Sequence, residues 1–276
     1  MEKKQSIIIS VNAQKGGAGK TSTVYNVAGA LKNKGCKVLC IDLDPQCNLS
    51  TTLGYLPNNE DDTICDAIFR ICSGRSYDAH SIVHSSPIGI DYVPSSKMLR
   101  TLSTQIENSN NKSKVLSSLF GQLRGEYDFI LIDNKAAMDI ITANALHMSD
   151  YAIIVVESGI YSFDGLSDIA TDIEAVRANS EDGIKTLGIV YNKATKTKVS
   201  KAISDATDEI FGELVFKTKI PYRHSMIEQT IERQLPCVDI KSNTLSSSYE
   251  SLADEIITRV TAFNVQAAMQ LINDRG

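Results

Sequence analysis

The chain has 276 residues, with 28 lysines and arginines against 33 aspartates and glutamates, which gives a formal charge of −5. Hydrophobic residues make up 42% and charged residues 22%, a composition typical of a globular protein and not of a disordered one. The acidic balance argues against a protein that coats nucleic acid through bulk charge, but it does not exclude a local basic face.

Cysteine usage and hydropathy indicate the compartment. The six cysteines stand at spacings that match neither a disulfide framework nor a CxxC metal site. Free thiols suit a reducing compartment, and no stretch reaches the roughly 18 apolar residues that a membrane-spanning helix needs. We therefore expect a cytoplasmic protein that does not insert into a membrane.

Short apolar segments alternate with longer helical patterns along the whole chain. Strands are predicted at residues 7–11, 37–42, 90–93, 129–133, 152–157, 187–192 and 215–220. Helices are predicted at residues 21–34, 64–71, 112–124, 140–147, 166–178, 197–211 and 249–260. Several strands are apolar throughout, as expected for strands buried on both faces of a parallel sheet. The alternation predicts an α/β fold: a doubly wound, mostly parallel sheet with helices on both faces.

The composition changes too little along the chain to indicate a boundary between two domains. We expect a single domain over residues 1–276, with a C-terminal helix from about residue 249. Only about a dozen residues precede the first glycine-rich motif, so we expect no N-terminal helix-turn-helix module.

The glycine-rich segment between the first strand and the first helix is the most specific motif. Its glycines let backbone N–H groups converge on one anion, and the N-terminal end of the following helix adds positive potential. Lys20 is expected at the β and γ phosphates of a nucleotide, and the Thr21 hydroxyl at Mg²⁺. The predicted nucleotide-binding residues of this phosphate loop and helix start are Gly16, Gly17, Ala18, Gly19, Lys20, Thr21 and Ser22.

The phosphate loop departs from GxxxxGK[ST] in one informative way. Gln14 occupies the position of the first glycine, and Lys15 opens the string KGGAGKT. This deviant motif resembles that of the ParA/MinD family of P-loop ATPases. In that family the lysine matching Lys15 crosses a dimer interface to the phosphates of the partner's nucleotide. The resemblance therefore implies ATP and Mg²⁺ as cofactors, an ATP-dependent homodimer, and catalytic roles for Lys15 and Lys20.

A second motif follows the second predicted strand, in the string IDLDPQCNLS. Asp42 and Asp44 stand two residues apart at the strand end and face the same side. The string resembles the DxDPQxN[LA][ST] motif of the ParA branch. That match implies that Asp44 orients or activates the attacking water and that Asp42 supports the magnesium shell. Gln46 would lie at the nucleotide and dimer contact.

A third carboxylate, Asp133, ends the apolar strand 129–133, where a Walker-B aspartate holds Mg²⁺. Family members usually continue with Thr-Pro-Pro-Ser, but this chain continues with residues 134–137, NKAA. The change restores two backbone donors and adds Lys135, so we hypothesise that hydrolysis, or its coupling to a partner, is altered and slowed. By resemblance, Asn192 and Pro221 approach the adenine base.

Lysines are concentrated in the last third of the chain. Five lie between residues 185 and 201, and no acid occurs between Ile184 and Ser204. The functional interpretation is nonspecific binding to the DNA backbone, and the alternative is a solvated face. The residues of this predicted basic patch are Lys193, Lys196, Lys198, Lys217 and Arg223.

The resemblance implies a plasmid or chromosome partition ATPase of the ParA/Soj type. Such a protein dimerises on ATP, binds nonspecific DNA in the nucleoid, and is stimulated to hydrolyse ATP by a ParB-like centromere-binding partner. Two alternatives remain, a MinD-like protein at a membrane and a relative that positions protein cargo. Membrane docking is disfavoured because residues 249–276 hold four acids and only two bases.

Overall fold

A computed structural model describes residues 5–13, 15–56, 63–136, 138–157, 162–178 and 183–273. Within these residues seven strands form one sheet: β1 (Ile7–Asn12), β2 (Val38–Leu43), β3 (His84–Ser85), β4 (Asp91–Val93), β5 (Phe129–Asn134), β6 (Tyr151–Glu157) and β7 (Lys185–Asn192). Their order across the sheet is β3-β4-β2-β5-β1-β6-β7. Every neighbouring pair is parallel except β3 with β4.

Ten α-helices surround the sheet in the described part of the chain. They are α1 (Lys20–Asn33), α2 (Asn48–Thr52), α3 (Ile64–Cys72), α4 (Ser103–Glu107), α5 (Val115–Phe120), α6 (Ile140–Met148), α7 (Ser162–Ala178), α8 (Lys198–Phe211), α9 (His224–Arg233) and α10 (Ser246–Asn273). None of the helices in the described ranges is both long and apolar enough to cross a membrane.

In the described residues the hydrophobic core is divided between the two faces of the sheet, because successive strand residues point to opposite sides. In β1, Ile9 packs into the core that contains α1 and α10, and Ile8 packs into the core that contains α3, α5 and α6. In β5, Leu131 and Ile132 divide between the two cores in the same way. The predicted doubly wound α/β fold is confirmed. The single-domain organisation stays a prediction, because parts of the chain lie outside the described residues.

The predicted strand at residues 215–220 does not form a regular strand. Two isolated bridges occur here instead. Val215 pairs with Ile189 in β7, and Pro221, directly after the segment, pairs with Ala194, which lies beyond β7. Between them, the side chain of Glu255 in α10 accepts the backbone N–H groups of Lys217 and Thr218, at 2.9 and 3.1 Å. Phe216 and Ile220 donate to β7, but a side chain accepts from Thr218, whose N–H a continuous ladder would have used.

The carboxyl ends of the three central strands meet at one edge of the sheet. Asp133 in β5 is in register with Asp42 in β2 and with Val11 in β1. The phosphate loop leaves β1 at this same edge. In open parallel sheets, ligands bind at the carboxyl edge where the strand order reverses. Here β1 is such a position, because β5 lies on one side of it and β6 on the other. The topology therefore brings the three predicted motifs together.

Candidate nucleotide-binding site

Glycines shape the phosphate loop at two positions. Gly17 and Gly19 have φ angles of 82° and 95°, a left-handed conformation that favours glycine. Gly19 directly precedes α1, and a Cβ there would lie 2.1 Å from Nδ2 of Asn192. At Gly16 and Gly17 a Cβ would meet no described atom within 4 Å. The loop thus presents an open face beside a helix N-terminus, which suits an anion. Gln14 lies outside the described residues.

Lys20 begins α1 and is almost fully buried, with 6% of its surface exposed. This burial lowers the pKa of Lys20, although the negative charges of Asp133 and Asp44 act in the opposite direction. A buried ammonium of this kind gains stability from an anion placed on the loop. The contact of Lys20 with nucleotide phosphates stays a prediction.

Asp133 and Thr21 form the cation side of the site. The Thr21 hydroxyl donates to Oδ2 of Asp133 at 2.7 Å. The other oxygen, Oδ1, is buried and has no hydrogen-bond partner in the described part of the chain. Burial and the charge of Asp42 raise the pKa of Asp133, against the effects of Thr21 and Lys20. A buried, unsatisfied carboxylate oxygen beside a hydroxyl fits the oxygen ligands that Mg²⁺ prefers.

Asp42, the residue before β2 ends at Leu43, organises the acidic turn, which we define as residues 42–50. Its Oδ2 accepts bonds from the backbone N–H and the hydroxyl of Ser50, at 2.9 and 2.6 Å, and its Oδ1 accepts the N–H of Asp44 at 3.0 Å. Burial raises the pKa of Asp42, while the bonds from Ser50 and Asp44 lower it. These contacts fold the turn back onto β2, and the magnesium role of Asp42 stays a prediction.

Asp44 and Gln46 lie further along the acidic turn. Asp44 is half-buried, and its Oδ1 accepts the N–H of Gln46 at 2.8 Å, while the Gln46 residue is exposed. Cys47 then adopts a left-handed φ of 56° and precedes α2. The turn therefore holds Asp44 at the carboxyl edge of the sheet, between the buried Asp42 and solvent. The water-activating role of Asp44 and the nucleotide contact of Gln46 stay predictions.

Glu157, the last residue of β6, was missed by the sequence analysis. Its Oε1 accepts from Lys15 at 2.8 Å, and its Oε2 accepts from Lys193 at 3.2 Å. Lys193 also donates to the carbonyl oxygen of Gly17. Burial raises the pKa of Glu157, but the hydrogen bonds from the two lysines prevail and keep it below its usual range. Lys193, which was placed in the basic patch, thus contacts the phosphate loop.

Asn192 and Pro221 were predicted near the adenine base. Nδ2 of Asn192 donates to the carbonyl oxygen of Ala18 at 2.9 Å, so this side chain packs directly on the phosphate loop. Pro221 lies beside Ala194, two residues beyond β7. Both residues are thus at the carboxyl end of β7, next to the loop. Their contact with adenine stays a prediction.

The unusual segment after Asp133 makes its own contacts. Nδ2 of Asn134 donates to the hydroxyl of Ser10 at 2.7 Å and to Oδ1 of Asn12 at 3.1 Å. Lys135 pairs with Asp139, the residue that caps α6. The ammonium of Lys135 is therefore held by a carboxylate of its own segment. Ala137 lies outside the described residues.

The remaining basic-patch residues divide into two places. Lys196, Lys198 and Arg223 are exposed. Their loops are joined because the N–H of Ala194 donates to Ile220 and Ala194 accepts from Tyr222, both at 2.9 Å. These three cations lie at the carboxyl end of β7, the same edge as the phosphate loop. Lys217 is also exposed, but its backbone contacts Glu255 of α10.

The fold and this loop define a nucleotide-binding α/β protein of the P-loop class. The model of the family described as "AAA domain" matches residues 6–186, well over half of the chain. The chain therefore belongs to this family and is a ParA/MinD-family P-loop ATPase.

Individual relatives span most of the chain. The chromosome-partitioning ATPase Soj of Treponema pallidum is 26% identical over 255 residues, which cover 91% of this chain and 97% of Soj. A point variant of Cyanothece McdA in complex with ATP superposes with a TM-score of 0.82 at 19% identity, over 91% of this chain and 96% of that one. Cobyrinic acid a,c-diamide synthase from Mycobacterium smegmatis, solved with ADP and magnesium, gives a TM-score of 0.76 at 22% identity, over 90% and 93%.

Proposed function

We propose that this protein is an ATP-dependent partition ATPase of the ParA/Soj type. ATP binding closes a homodimer, the dimer binds nonspecific DNA in the nucleoid of the cytoplasm, and a ParB-like centromere-binding partner stimulates hydrolysis and release. The observation that carries the proposal is the placement of Lys15. Its side chain stands at the mouth of the phosphate loop and is 60% exposed, so its ammonium can reach a second subunit.

The nucleotide is proposed to bind as its magnesium complex. The backbone N–H groups of residues 16–22 and the ammonium of Lys20 receive the phosphates, and Asn192 lies beside them. Thr21 and Asp133 would hold the cation, as the unsatisfied Oδ1 of Asp133 indicates. When bound, Mg²⁺ neutralises negative charge on the phosphate oxygens.

Hydrolysis is proposed to depend on two groups of this chain beyond the phosphate loop. The acidic turn fixes Asp44 through bonds to the backbone N–H groups of Asp44 and Gln46, which suits a residue that orients a water molecule. Lys15 of a second subunit would stabilise charge that develops on the transferred phosphoryl group, as an arginine finger does. Because Lys15 acts between subunits, dimerisation and hydrolysis would be coupled.

DNA binding is proposed for Lys196, Lys198 and Arg223. Lysines and arginines that contact phosphates bind DNA without reading its sequence. These residues lie at the edge that also holds the phosphate loop, so closure of a dimer there would bring two sets of cations together. Because the chain as a whole carries a net charge of −5, DNA binding would depend on these local cations.

Membrane docking finds less support in the contacts of α10. Tyr249, Leu252, Ile256 and Val260 form an apolar stripe, and each is at most 2% exposed because it packs into the core with α1. An amphipathic membrane helix needs that stripe free for lipid. We therefore favour DNA over a lipid surface.

Sedimentation velocity tests the dimer. We expect the wild type to shift from monomer to dimer with the slowly hydrolysed analogue ATPγS and to stay monomeric with ADP. Lys15→Gln should bind ATPγS and remain monomeric. Lys34→Gln is the matched control, because Lys34 also pairs with a carboxylate, Asp254 at 2.6 Å, but does so away from the loop. A wild type that stays monomeric with ATPγS would refute the proposal.

A further inference from the structure

One carboxylate serves two ammonium groups at the mouth of the phosphate loop. Glu157 lies 2.8 Å from Nζ of Lys15 and 3.2 Å from Nζ of Lys193, through different oxygens. Lys15 belongs to the phosphate loop, Lys193 follows β7, and Glu157 ends β6, so three separate elements converge on this contact. Both bonds join charged groups and are therefore stronger than neutral hydrogen bonds.

The chain holds Lys193 against the loop in an unusual backbone conformation. Lys193 has a φ of 52°, a left-handed conformation that is unfavourable for residues with a Cβ. Its N–H donates to Oδ1 of Asn192 at 2.8 Å, and Nδ2 of Asn192 donates to Ala18. The ammonium of Lys193 then reaches the carbonyl of Gly17. The end of β7 thus contacts the loop through two side chains, and Lys193 is fixed beside the open face of the loop.

The two ammonium groups share the carboxylate of Glu157 beside a loop shaped for anions. A terminal phosphate carries nearly two negative charges at neutral pH and has three strong acceptor oxygens. It is therefore a better partner for two ammonium groups than one carboxylate is. A nucleoside diphosphate lacks this third phosphate, so it offers fewer phosphate oxygens to the two ammonium groups.

We propose that Lys15 and Lys193 exchange Glu157 for the terminal phosphate of a nucleoside triphosphate. Glu157 is then a specificity-determining residue that sets how strongly the site prefers triphosphate over diphosphate. Lys193 is a second cationic residue of the phosphate site and not part of a DNA-binding surface. Without a triphosphate, Glu157 keeps Lys15 within its own subunit. This inference rests on the proposed binding of ATP to the phosphate loop.

Equilibrium binding of fluorescent ATPγS and fluorescent ADP tests the exchange. In Glu157→Gln the two lysines lose their competing carboxylate, so we expect ATPγS to bind about tenfold more tightly. The affinity for ADP should change by less than about twofold. Lys193→Gln should weaken ATPγS binding about tenfold. Glu157→Asp retains the charge and should return the ratio of the two affinities toward that of the wild type.

Asp208→Asn is the matched control, because Asp208 pairs with Lys219 at 2.7 Å away from the loop. It removes one negative charge and one ion pair, and should leave the ratio of affinities unchanged. The inference is wrong if Glu157→Gln and the wild type show the same ratio while both are folded by circular dichroism. If the wild type binds ATPγS but neither dimerises nor binds DNA, the proposed function fails and the ratio still decides the role of Glu157.

Discussion

The hydroxyl of Thr21 donates a 2.7 Å hydrogen bond to Oδ2 of Asp133, across 112 residues of sequence. This bond joins the first turn of α1 to the end of β5. The second oxygen of Asp133 stays buried with no partner within the described ranges. A cation bound at Asp133 would therefore offset the cost of burying this carboxylate oxygen without a partner.

Asp133→Asn tests this relationship. The amide oxygen can still accept from Thr21, but the negative charge is lost, so Mg²⁺ should no longer increase nucleotide affinity. Hydrolysis should fall by about a hundredfold or more. The thermal stability without Mg²⁺ should be equal to or higher than that of the wild type, because burial disfavours the ionised form of this carboxyl group, as its raised pKa indicates.

Titrations of fluorescent nucleotide with and without Mg²⁺, together with thermal unfolding, measure both effects. Thr21→Ser retains the hydroxyl and is the conservative control, with affinities close to wild type. Retained magnesium dependence in Asp133→Asn would contradict the proposed role of the carboxylate.

Gly19→Ala tests the geometry of the phosphate loop. The new Cβ would lie 2.1 Å from Asn192 at a φ of 95°, so clash and backbone strain add. We expect a loss of about 2–4 kcal/mol in the free energy of unfolding. Gly35→Ala is the matched control, because Gly35 has a φ of 85° and its Cβ would meet no described atom within 4 Å. It should lose only about 1–2 kcal/mol. Equal losses in urea unfolding would show that the contact with Asn192 is not restrictive.

Lys135→Pro tests the effect of the unusual segment on turnover. Asn134, the residue before the introduced proline, is the last residue of β5. Its extended backbone is the conformation that a residue before proline prefers. The substitution removes both the ammonium that pairs with Asp139 and one backbone donor. We expect single-turnover hydrolysis to become several-fold faster. Lys135→Gln removes the charge but keeps the backbone N–H, so it separates the effect of the charge from that of the backbone. Indistinguishable rates in the wild type and Lys135→Pro, with and without the partner protein, would remove the hypothesis.

His80 predicts a pH dependence of stability far from the nucleotide site. Its ring nitrogens contact Glu126 at 2.8 Å and Asp78 at 2.7 Å, and these bonds raise the pKa of His80 above its ordinary value of 6.5. A raised folded-state pKa gives stability that is fully present below 6.5 and is lost as the pH rises through the folded value.

The unfolding free energy of the wild type minus that of His80→Gln should therefore be larger near about pH 6 than near about pH 9. The difference should shrink at high salt, because all three groups are exposed. A difference that grows with pH would have the wrong sign for this interaction.

The sequence predicted the sheet and the phosphate loop because both depend on short continuous segments. Residues 129–133 are apolar throughout and end in a carboxylate, and the loop has its glycines, Lys20 and Thr21 side by side. Such patterns carry the chemistry without knowledge of distant residues. The observed β5 and α1 differ from the predicted segments by one residue at their ends.

Contacts between distant residues could not be predicted. The apolar pattern at 215–220 predicted a strand, but the backbone N–H groups of Lys217 and Thr218 donate to Glu255, which is 38 residues from Lys217. Lys15 and Glu157 are 142 residues apart. Lys193 stood in a lysine-rich run whose composition alone gave no sign that one member turns toward Gly17. The signal for Glu157 was its position, because it is the last residue of a strand that lies beside β1 in the sheet.

Nonspecific DNA binding across a salt series tests the central claim most directly. With ATPγS, a dimer that places Lys196, Lys198 and Arg223 of both subunits on DNA phosphates should give a slope of log affinity against log salt of about −5. Lys196→Gln should make that slope shallower by about 2. With ADP the account predicts no comparable binding. Equal DNA affinity with ATPγS and ADP, or none with either, would contradict it.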